Sequence, residues 1–304
     1  MKPSFFLNKF IAKKYLKKPE LIEFLNFQYP SLPLQFAGFI NELCYHLQIY
    51  YAPFIRSAAF EVTNVCNLNC TVCPQNTNDF RKKGFMDFNL FRHILDNNKS
   101  LNLVQCNGWG EPFKHPQIID FITYAKSKGK RVYLYSNGTL INEKLADEIL
   151  ESGLDRIIFS LDGIGDTYEK IRGYSYEKIE DQILLLIKKR KISNSNLIID
   201  VSMVGSKDTE NDIKIFKNKW KHLVNGIQIL SYFDHTKKNR NSKCRELWRG
   251  NPQILWDGTV TVCCVDWGGE FNIAKIGPNG FNLQKIWNSE KIKTLRLLHT
   301  KNLQ

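Results

Sequence analysis

The sequence lacks any long uninterrupted apolar run among its 304 residues. The apolar stretch at 36–55 is broken by Asn41, Glu42 and His46, so no segment approaches the roughly 18 apolar residues that a membrane span needs. The apolar run before Lys9 is too short for a secretory signal peptide. These absences predict a cytoplasmic protein without a membrane span.

Signatures of nucleic-acid binding are also missing: we find no helix-turn-helix pattern, no RNA-binding signature and no basic stripe interleaved with aromatic residues. The formal net charge is nevertheless 43 − 30 = +13. The positive residues are mostly dispersed, which favours a compositional bias over a polyanionic partner. A basic segment at 188–191 ends a predicted helix, where cations suit the helix dipole. A second cluster lies in a predicted loop and could bind a phosphate; it consists of Lys237, Lys238, Arg240, Lys243, Arg245 and Arg249.

The eight cysteines are clustered and are not spread as in a disulfide framework. They are Cys44, Cys66, Cys70, Cys73, Cys106, Cys244, Cys263 and Cys264. In a cytoplasmic chain of this length, clustered cysteines indicate metal or redox chemistry.

From residue 57 onward, short apolar runs alternate with amphipathic segments. Strands are predicted at 58–63, 103–106, 131–135, 156–161, 197–203 and 226–230. Helices are predicted between them at 87–97, 116–128, 143–152, 176–191 and 210–223. This alternation predicts βαβ units with a parallel sheet. Six units are too few for a closed eight-stranded barrel, so we expect an α/β fold, either a partial (β/α)6 TIM-like barrel or an open sheet, with ligands at the carboxyl ends of the strands.

Two further regions flank this core. Residues 1–56 form a predicted helical N-terminal extension, with helical spacing at 5–16 and 21–27 and interruptions at Pro30 and Pro33. A hairpin is predicted at 253–263 around an Asp257–Gly258 turn, followed by a terminal helix at 281–299. We therefore expect three regions, at 1–56, 57–235 and 236–304.

Three of the cysteines lie within eight residues, at Cys66, Cys70 and Cys73. Soft metal ions and iron–sulfur clusters usually take four ligands, yet the next candidate, His93, lies twenty residues further on. Three ligands on one tight loop suit three irons of a cubane cluster, which leaves the fourth iron for a small molecule. The alternatives are three buried cysteines or a zinc site.

Short motifs with glycine follow the next three predicted strands. They are Asn107–Pro112, Ser136–Thr139 and Ser160–Gly163, with Ile171–Gly173 shortly after the last. Glycine lets a ligand approach the backbone, and Ser, Asn and Asp offer donors and acceptors for an amino acid and a ribose. Each motif alone is compatible with an ordinary turn, but their succession at consecutive strand ends indicates one shared binding site.

In these motifs the sequence resembles the radical S-adenosylmethionine superfamily, across about residues 57–235. The resemblance implies a [4Fe–4S] cluster whose fourth iron is chelated by the amino and carboxylate groups of S-adenosylmethionine. It also implies reductive cleavage of that molecule to a 5′-deoxyadenosyl radical, which abstracts hydrogen from a substrate. An electron donor such as flavodoxin or ferredoxin would supply the electron.

The resemblance assigns the cluster ligands by position to Cys66, Cys70 and Cys73. It assigns contacts with the methionyl amino group, largely through backbone, to a segment that contains Gly108, Gly110, Glu111 and Pro112.

The remaining contacts follow the later strands. Ser136 and Asn137 would contact the ribose or the carboxylate. The methionyl and ribose contacts would be completed by Ser160, Asp162 and Arg172. Met203 either lies near the adenine or is a core methionine.

The C-terminal region resembles the auxiliary-cluster extension called SPASM, or its shorter relative, twitch. Cys244 is followed by thirteen residues, then Gly258, four residues and Cys263, which matches the first two cysteine ligands of that extension. The family pattern then continues with a C-x2-C pair, which this sequence does not contain. Three explanations are open for the missing ligands. We favour a truncated chain, and the second choice is loss of the second [4Fe–4S] cluster. The third is that Cys264 or Cys106 replaces a missing cysteine ligand.

We therefore predict a radical S-adenosylmethionine enzyme that acts as an oxidoreductase or as a transferase-like enzyme. The pattern does not identify its general base. Peptide-modifying relatives often carry an N-terminal recognition domain, and residues 1–56 are too short for one. Together with the basic loop cluster, this favours a phosphorylated or nucleotide-linked small substrate such as a sugar. The alternatives are a peptide or protein maturase of the same superfamily, and a non-catalytic metal-binding or scaffold protein.

Reversing the charges of Lys237, Lys238 and Arg240 to Glu should lower turnover of a phosphorylated substrate by about tenfold or more, because about 1.4 kcal/mol of lost attraction gives that factor. Turnover is compared with that of the unmodified protein under the same reducing conditions. Unchanged activity would count against the phosphate hypothesis.

Overall fold

The computed structural model describes residues 31–76, 80–232, 244–266, 268–277 and 281–301, apart from the side chain of Leu32. The helices predicted at 5–16 and 21–27 lie outside these ranges. Four members of the basic loop cluster also lie outside them: Lys237, Lys238, Arg240 and Lys243. The structure therefore describes the predicted N-terminal extension only from residue 31 onward.

The described chain begins with helix α1 (Leu32–His46). Pro33, where a break in the helical pattern is predicted, lies in the first turn of α1. Proline is tolerated there, since the backbone N–H that it lacks would have no partner within the helix.

Six short apolar runs form the parallel strands of the sheet. They are β1 (Ser57–Phe60), β2 (Leu103–Gln105), β3 (Arg131–Ser136), β4 (Arg156–Ser160), β5 (Ile198–Gly205) and β6 (Gly226–Ser231). Their order across the sheet is β6–β5–β4–β3–β2–β1, and every neighbouring pair is parallel. The predicted α/β fold with a partial TIM-like barrel is confirmed.

Helices connect these strands, as the alternation of the sequence predicts. They are α2 (Phe88–Asn97), α3 (Ile118–Ser127), α4 (Glu143–Glu151), α5 (Asp166–Arg172), α6 (Tyr176–Ile192) and α7 (Asp212–Trp220). The side chains of Asp87, Asn142 and Ser175 cap the first turns of α2, α4 and α6, where backbone N–H groups have no partner within the helix. Helix α5 is not among the helices predicted from the sequence. Among the described residues, none of the helices combines the length and the hydropathy needed to cross a membrane.

One face of the sheet packs against the helices and is apolar. Phe60 of β1 contacts Phe91 of α2 with ring centroids 4.9 Å apart, and Phe91 contacts Phe121 of α3 at 4.6 Å. All three rings are completely buried. Burial of such side chains removes apolar surface from water and stabilises the layer of helices on the sheet.

The other face of the sheet lines the interior of the partial barrel and carries several polar side chains. Tyr135 Oη on β3 donates to Gln228 Oε1 on β6 at 2.9 Å. A bond between strands that are three positions apart requires a strongly curved sheet. Arg156 on β4 and Asp200 on β5 form a buried ion pair at 3.6 Å. The same face also carries a small buried apolar cluster of Leu103, Tyr133 and Ile158, so the interior combines polar pairs with apolar side chains.

The C-terminal strands continue the same sheet beyond β1. After α8 (Glu246–Arg249), β7 (Gln253–Ile254) pairs with β1 in parallel, and β8 (Thr259–Thr261) and β9 (Asn272–Lys275) follow in antiparallel order. The predicted hairpin and its turn are confirmed, with Gly258 at a φ of +85° that favours glycine. The third strand, β9, is absent from the sequence-based expectation.

The predicted terminal helix at 281–299 is divided into α9 (Leu283–Trp287) and α10 (Glu290–Thr300). Asn288 and Ser289 separate the two helices. Asn288 Oδ1 accepts a hydrogen bond from Ala52 N at 2.8 Å, so the break places a polar side chain against the segment that follows α1.

Arg296 of α10 joins three parts of the chain through one guanidinium group. It is completely buried. Its Nη2 donates to the backbone oxygens of Leu247 and Trp287 at 2.9 Å each, and its Nη1 donates to Tyr50 O at 3.1 Å. Burial lowers the pKa of Arg296 to about 10, which leaves the group charged at neutral pH. The ends of α8 and α9 are thereby fixed to the segment after α1.

Replacing Arg296 by Met should lower the free energy of unfolding by at least about 2 kcal/mol, because several buried carbonyl oxygens would lose their donor. Urea denaturation measures the effect. Lys291→Met, an exposed change on the same helix, should shift stability by less than about 0.5 kcal/mol. Equal stability of the two variants would contradict the structural role of Arg296.

Candidate active site

The loop that carries the three cysteines leaves the carboxyl end of β1 and is held from both sides. Thr71 N donates to Ile171 O of α5 at 2.9 Å. Within the loop, Cys73 N donates to Cys70 O at 3.0 Å, and Asn76 Nδ2 donates to the same oxygen at 2.6 Å. The loop is therefore a tight turn, as the spacing of the cysteines predicts, and it is anchored to α5.

The three thiols are buried to different extents. Cys70 is 7% exposed, while Cys66 and Cys73 are half-buried. Burial raises the pKa of the Cys66 and Cys73 thiols, and each thiol must lose its proton to bind iron. No group of three His, Cys, Asp or Glu side chains within the described ranges could hold a single metal ion. Each cysteine of a cubane cluster binds a different iron, so the three sulfurs of such a site need not reach a common metal ion.

Side chains from one strand end and one helix end reach these thiols. Asn137, after β3, places Nδ2 3.7 Å from Cys66 Sγ. Arg172, at the end of α5, places Nη1 3.8 Å from Cys70 Sγ. Three separate segments thus converge on one point at the carboxyl edge of the sheet.

The segment after β2 lies directly against the start of the cysteine loop because Gly110 has no side chain. A Cβ atom at this position would lie 2.4 Å from Thr63 O and 2.7 Å from Val65 O. The next residue, Glu111, donates its backbone N–H to Val65 O at 3.0 Å. A residue with a side chain would force these two backbones apart, so Gly110 fixes their separation.

The carboxylate of Glu111 holds the segments after β2 and β3 together. It is 2% exposed. Its Oε1 accepts from Ser136 Oγ at 2.8 Å and from Phe113 N at 3.2 Å, and its Oε2 accepts from Asn137 N at 2.7 Å. Burial raises the pKa of Glu111 to about 7, while the three donors act in the opposite direction. The side chain therefore positions Ser136 and Asn137, a role that the prediction of backbone contacts alone does not include.

Asp162 adopts a backbone conformation that is uncommon outside glycine, with a φ of +50°. Both of its carboxylate oxygens are bonded: Oδ1 accepts from Val204 N at 2.9 Å, and Oδ2 accepts from Arg172 Nη2 at 2.6 Å. These bonds hold the strained turn after β4 in place. They also aim the guanidinium of Arg172 at the cysteine loop.

The other predicted contact residues are placed less uniformly. Pro112 is buried and starts a short 3-10 turn. Ser160 ends β4 opposite Ser202 of β5 and is half-buried. Met203 is completely buried in the apolar cluster between sheet and helices. Because residues alternate along β5, the structure places Met203 on the helix-facing side, as expected of a core methionine.

The C-terminal cysteines form a separate group. Cys264 is exposed as a residue, but partial desolvation of its sulfur raises the pKa of the thiol, and ionisation of Cys263, Glu246 or Cys244 nearby would raise it further. These residues therefore lie close together where α8 and β8 meet. Cys106 is 0% exposed within the apolar core. This position argues against Cys106 as a replacement ligand for the second cluster.

Sequence reasoning missed three polar residues of the site. Glu61, just after β1, forms a bidentate ion pair with Arg81 at 3.0 and 2.8 Å. It also accepts a hydrogen bond from Trp109 N at 3.4 Å. Asn67, between the cysteines, accepts from Asn137 Nδ2 at 3.1 Å and donates to Thr139 Oγ1 at 2.8 Å.

A signal for one of these three residues was present in the sequence. The signal is that Glu61 is an acidic residue at the end of an apolar strand. In the structure, Gly108 packs against it so closely that a Cβ there would lie 2.5 Å from Glu61 Cγ. Arg81 has no comparable local signal, because its partner lies 20 residues away.

Comparison with known proteins agrees with this geometry. Residues 60–218 match the radical SAM superfamily, and the chain belongs to this superfamily of enzymes. Residues 244–304 match the iron–sulfur cluster-binding domain SPASM. Membership implies a [4Fe–4S] cluster and S-adenosylmethionine, and the SPASM match implies additional iron–sulfur clusters.

Three similar proteins illustrate the range of the superfamily. The tungsten-containing aldehyde ferredoxin oxidoreductase cofactor-modifying protein of Pyrococcus furiosus is 36% identical over 273 residues, which is 79% of this chain and 71% of the relative. BtrN in complex with AdoMet and 2-DOIA aligns at a TM-score of 0.58 and 18% identity, over 81% of this chain and 87% of that chain. Native anSMEcpe with bound AdoMet and Kp18Cys peptide aligns at a TM-score of 0.63 and 15% identity, over 81% and 84%. The two structural likenesses show a common fold.

The residues present fit the implied cofactors. Cys66, Cys70 and Cys73 offer thiol ligands from one loop, which suits a cluster with one iron left for a small molecule. Arg172 Nε is buried and has no hydrogen-bond partner among the residues that the structure describes. An acceptor group of a bound ligand would satisfy that donor.

Replacing Glu111 by Gln should lower the free energy of unfolding by about 1–3 kcal/mol. In either orientation the amide NH2 would face a buried donor, Asn137 N or Ser136 Oγ, that now bonds to a carboxylate oxygen. Urea denaturation gives the loss. Glu151→Gln, an exposed change at the end of α4, is the matched control and should have little effect. If the two variants are equally stable, the positioning role of Glu111 is wrong.

Proposed function

We propose that this chain cleaves S-adenosylmethionine reductively and uses the product to remove a hydrogen atom from a small organic substrate. The observation that carries the proposal is the convergence of two other segments on the cysteine loop: Asn137, after β3, reaches Cys66, and Arg172, at the end of α5, reaches Cys70. Such a site at the carboxyl edge of parallel strands is where α/β folds bind ligands.

In this proposal the cluster is held by Cys66, Cys70 and Cys73. When bound, the cluster and S-adenosylmethionine supply a carbon-centred radical that abstracts hydrogen. The chain itself contributes the position of the ligand: Gly110 lets the backbone approach, and Arg172, aimed by Asp162 at 2.6 Å, offers a donor toward a carboxylate.

The remaining ligand contacts are proposed for the segments around Glu111. Ser136 and Asn137, both held by its carboxylate, are placed for the ribose or the carboxylate of S-adenosylmethionine. Ser160, at the end of β4, faces the same edge of the sheet. Met203 is left out of these contacts because it is buried on the helix-facing side of β5.

A small, anion-bearing substrate, phosphorylated or nucleotide-linked, is the preferred class. The P. furiosus relative, which this chain covers over 71% of its length, is described as a cofactor-modifying protein. The interior of the partial barrel carries polar groups such as Tyr135 and Gln228 beside a small apolar cluster, and these groups offer hydrogen-bonding partners to a polar substrate.

A peptide or protein substrate is the second candidate. It is favoured by the fold likeness to anSMEcpe, which was solved with a bound peptide. A flavodoxin or ferredoxin is the proposed electron donor for either substrate. Its approach to the cysteine loop is supported by the outward position of Val72, which is 52% exposed.

The proposal is tested with anaerobically purified protein, reconstituted with iron and sulfide and mixed with dithionite and S-adenosylmethionine. We expect 5′-deoxyadenosine, measured by chromatography. Cys70→Ala should reduce its formation at least about 100-fold, or about 2.7 kcal/mol, because one iron loses its ligand.

Cys106→Ala is the matched control, since this buried thiol lies in the apolar core; it should retain formation of 5′-deoxyadenosine. Absence of the product in unmodified protein with an intact cluster would overturn the enzymatic function in favour of a metal-binding or scaffold role.

A further inference from the structure

A cavity of about 470 Å³ lies between the segment at 80–84 and the C-terminal hairpin. One wall contains Arg81 and Lys82, and the other contains Trp256, Thr259 and Lys275. This volume is within the range of about 300–1,000 Å³ that is typical of small-molecule sites. The cavity is thus large enough for one small organic molecule.

Cations lie on both walls of the cavity. Lys82 is exposed, and its ammonium has no ion-pair partner among the described residues. On the opposite wall, Lys275 is held by Asp257 and lies 3.4 Å from Thr259 Oγ1. Arg81 and Lys275 are each paired with a carboxylate, Glu61 and Asp257, so Lys82 gives the cavity the net positive charge that favours an anionic ligand.

The cavity also offers an aromatic surface in a fixed position. Trp256 Nε1 donates to Lys82 O at 3.2 Å. Its ring packs so closely on Gly84 that a Cβ atom there would lie 2.5 Å from the ring. Gly269, with a φ of +71°, allows Arg81 and Leu255 to approach on the floor. A planar or ribose-bearing group could lie against this indole while its charged end meets the lysines.

Arg81 connects this cavity to the candidate active site. Its guanidinium is paired with Glu61, and the same carboxylate accepts from Trp109 N. Trp109 belongs to the segment whose Gly110 lies against the cysteine loop. A ligand in the cavity would therefore lie two contacts away from the proposed S-adenosylmethionine site, where remote binding energy can orient a substrate.

We propose that this cavity binds the phosphate-bearing end of the substrate, with Lys82 and Lys275 on the phosphate and Trp256 against the adjoining planar group. The proposal rests on the proposed function, since it assigns a binding site for that enzyme's substrate. It also differs from the phosphate site suggested by the basic loop at 237–249, because it involves other residues.

The test is a calorimetric titration of the reconstituted full chain, without reductant, with uridine monophosphate, ribose 5-phosphate and inorganic phosphate as probes and uridine as the neutral comparison. We expect at least one phosphate probe to bind and to bind at least tenfold more tightly than uridine. Lys82→Glu should weaken that binding at least tenfold, and Lys275→Met should weaken it measurably from the opposite wall. Lys83→Glu, the neighbouring exposed lysine outside the cavity, should change it less than twofold.

Equal losses for Lys82→Glu and Lys83→Glu would overturn the site, as would no binding of any phosphate probe. A loss caused by unfolding is excluded by comparing the urea denaturation of the two variants. Because the titration needs no cleavage of S-adenosylmethionine, its failure is distinct from a failure to form 5′-deoxyadenosine, which would overturn the proposed function itself.

Discussion

The contact on which the site depends is the close approach of two backbones, at Gly110 and at the start of the cysteine loop. A side chain at Gly110 would meet Thr63 O and Val65 O at less than 3 Å, so the two strand ends can lie together only with glycine between them. Glu111 then extends this fixed arrangement to the next strand through Ser136 and Asn137. A buried carboxylate with three donors is costly to move, so it makes the edge of the sheet rigid where a ligand has to be positioned.

The C-terminal region adds a second wall to that edge. Because β7 pairs with β1, the hairpin is an extension of the sheet that carries the cysteine loop. Trp256 crosses the junction, because its ring packs on Gly84 and its Nε1 donates to Lys82 O. The SPASM match therefore lies in a part of the chain that also shapes the surroundings of the proposed active site, whether or not the cysteines near α8 bind a cluster.

Much of the architecture could be predicted from local patterns. The six strands and most of their connecting helices follow from alternating apolar periodicity, and the turn of the hairpin follows from Asp257 and Gly258. Helix α5 was missed because its seven residues carry too little periodicity to be distinguished from a loop. The terminal helix was predicted as one because a break at Asn288 depends on its distant partner Ala52. Strand β9 depends likewise on pairing with β8.

The sequence by itself determined the three thiols and the motifs at successive strand ends, because residue type and spacing suffice to recognise chemistry carried on one short loop. Only the tertiary structure decided what those residues touch. It brought Arg81 to Glu61 across 20 residues and Arg172 to Cys70 across 102, and it placed Met203 among the helices. Contacts of this kind arise from the curvature and packing of the whole sheet, which no local pattern encodes.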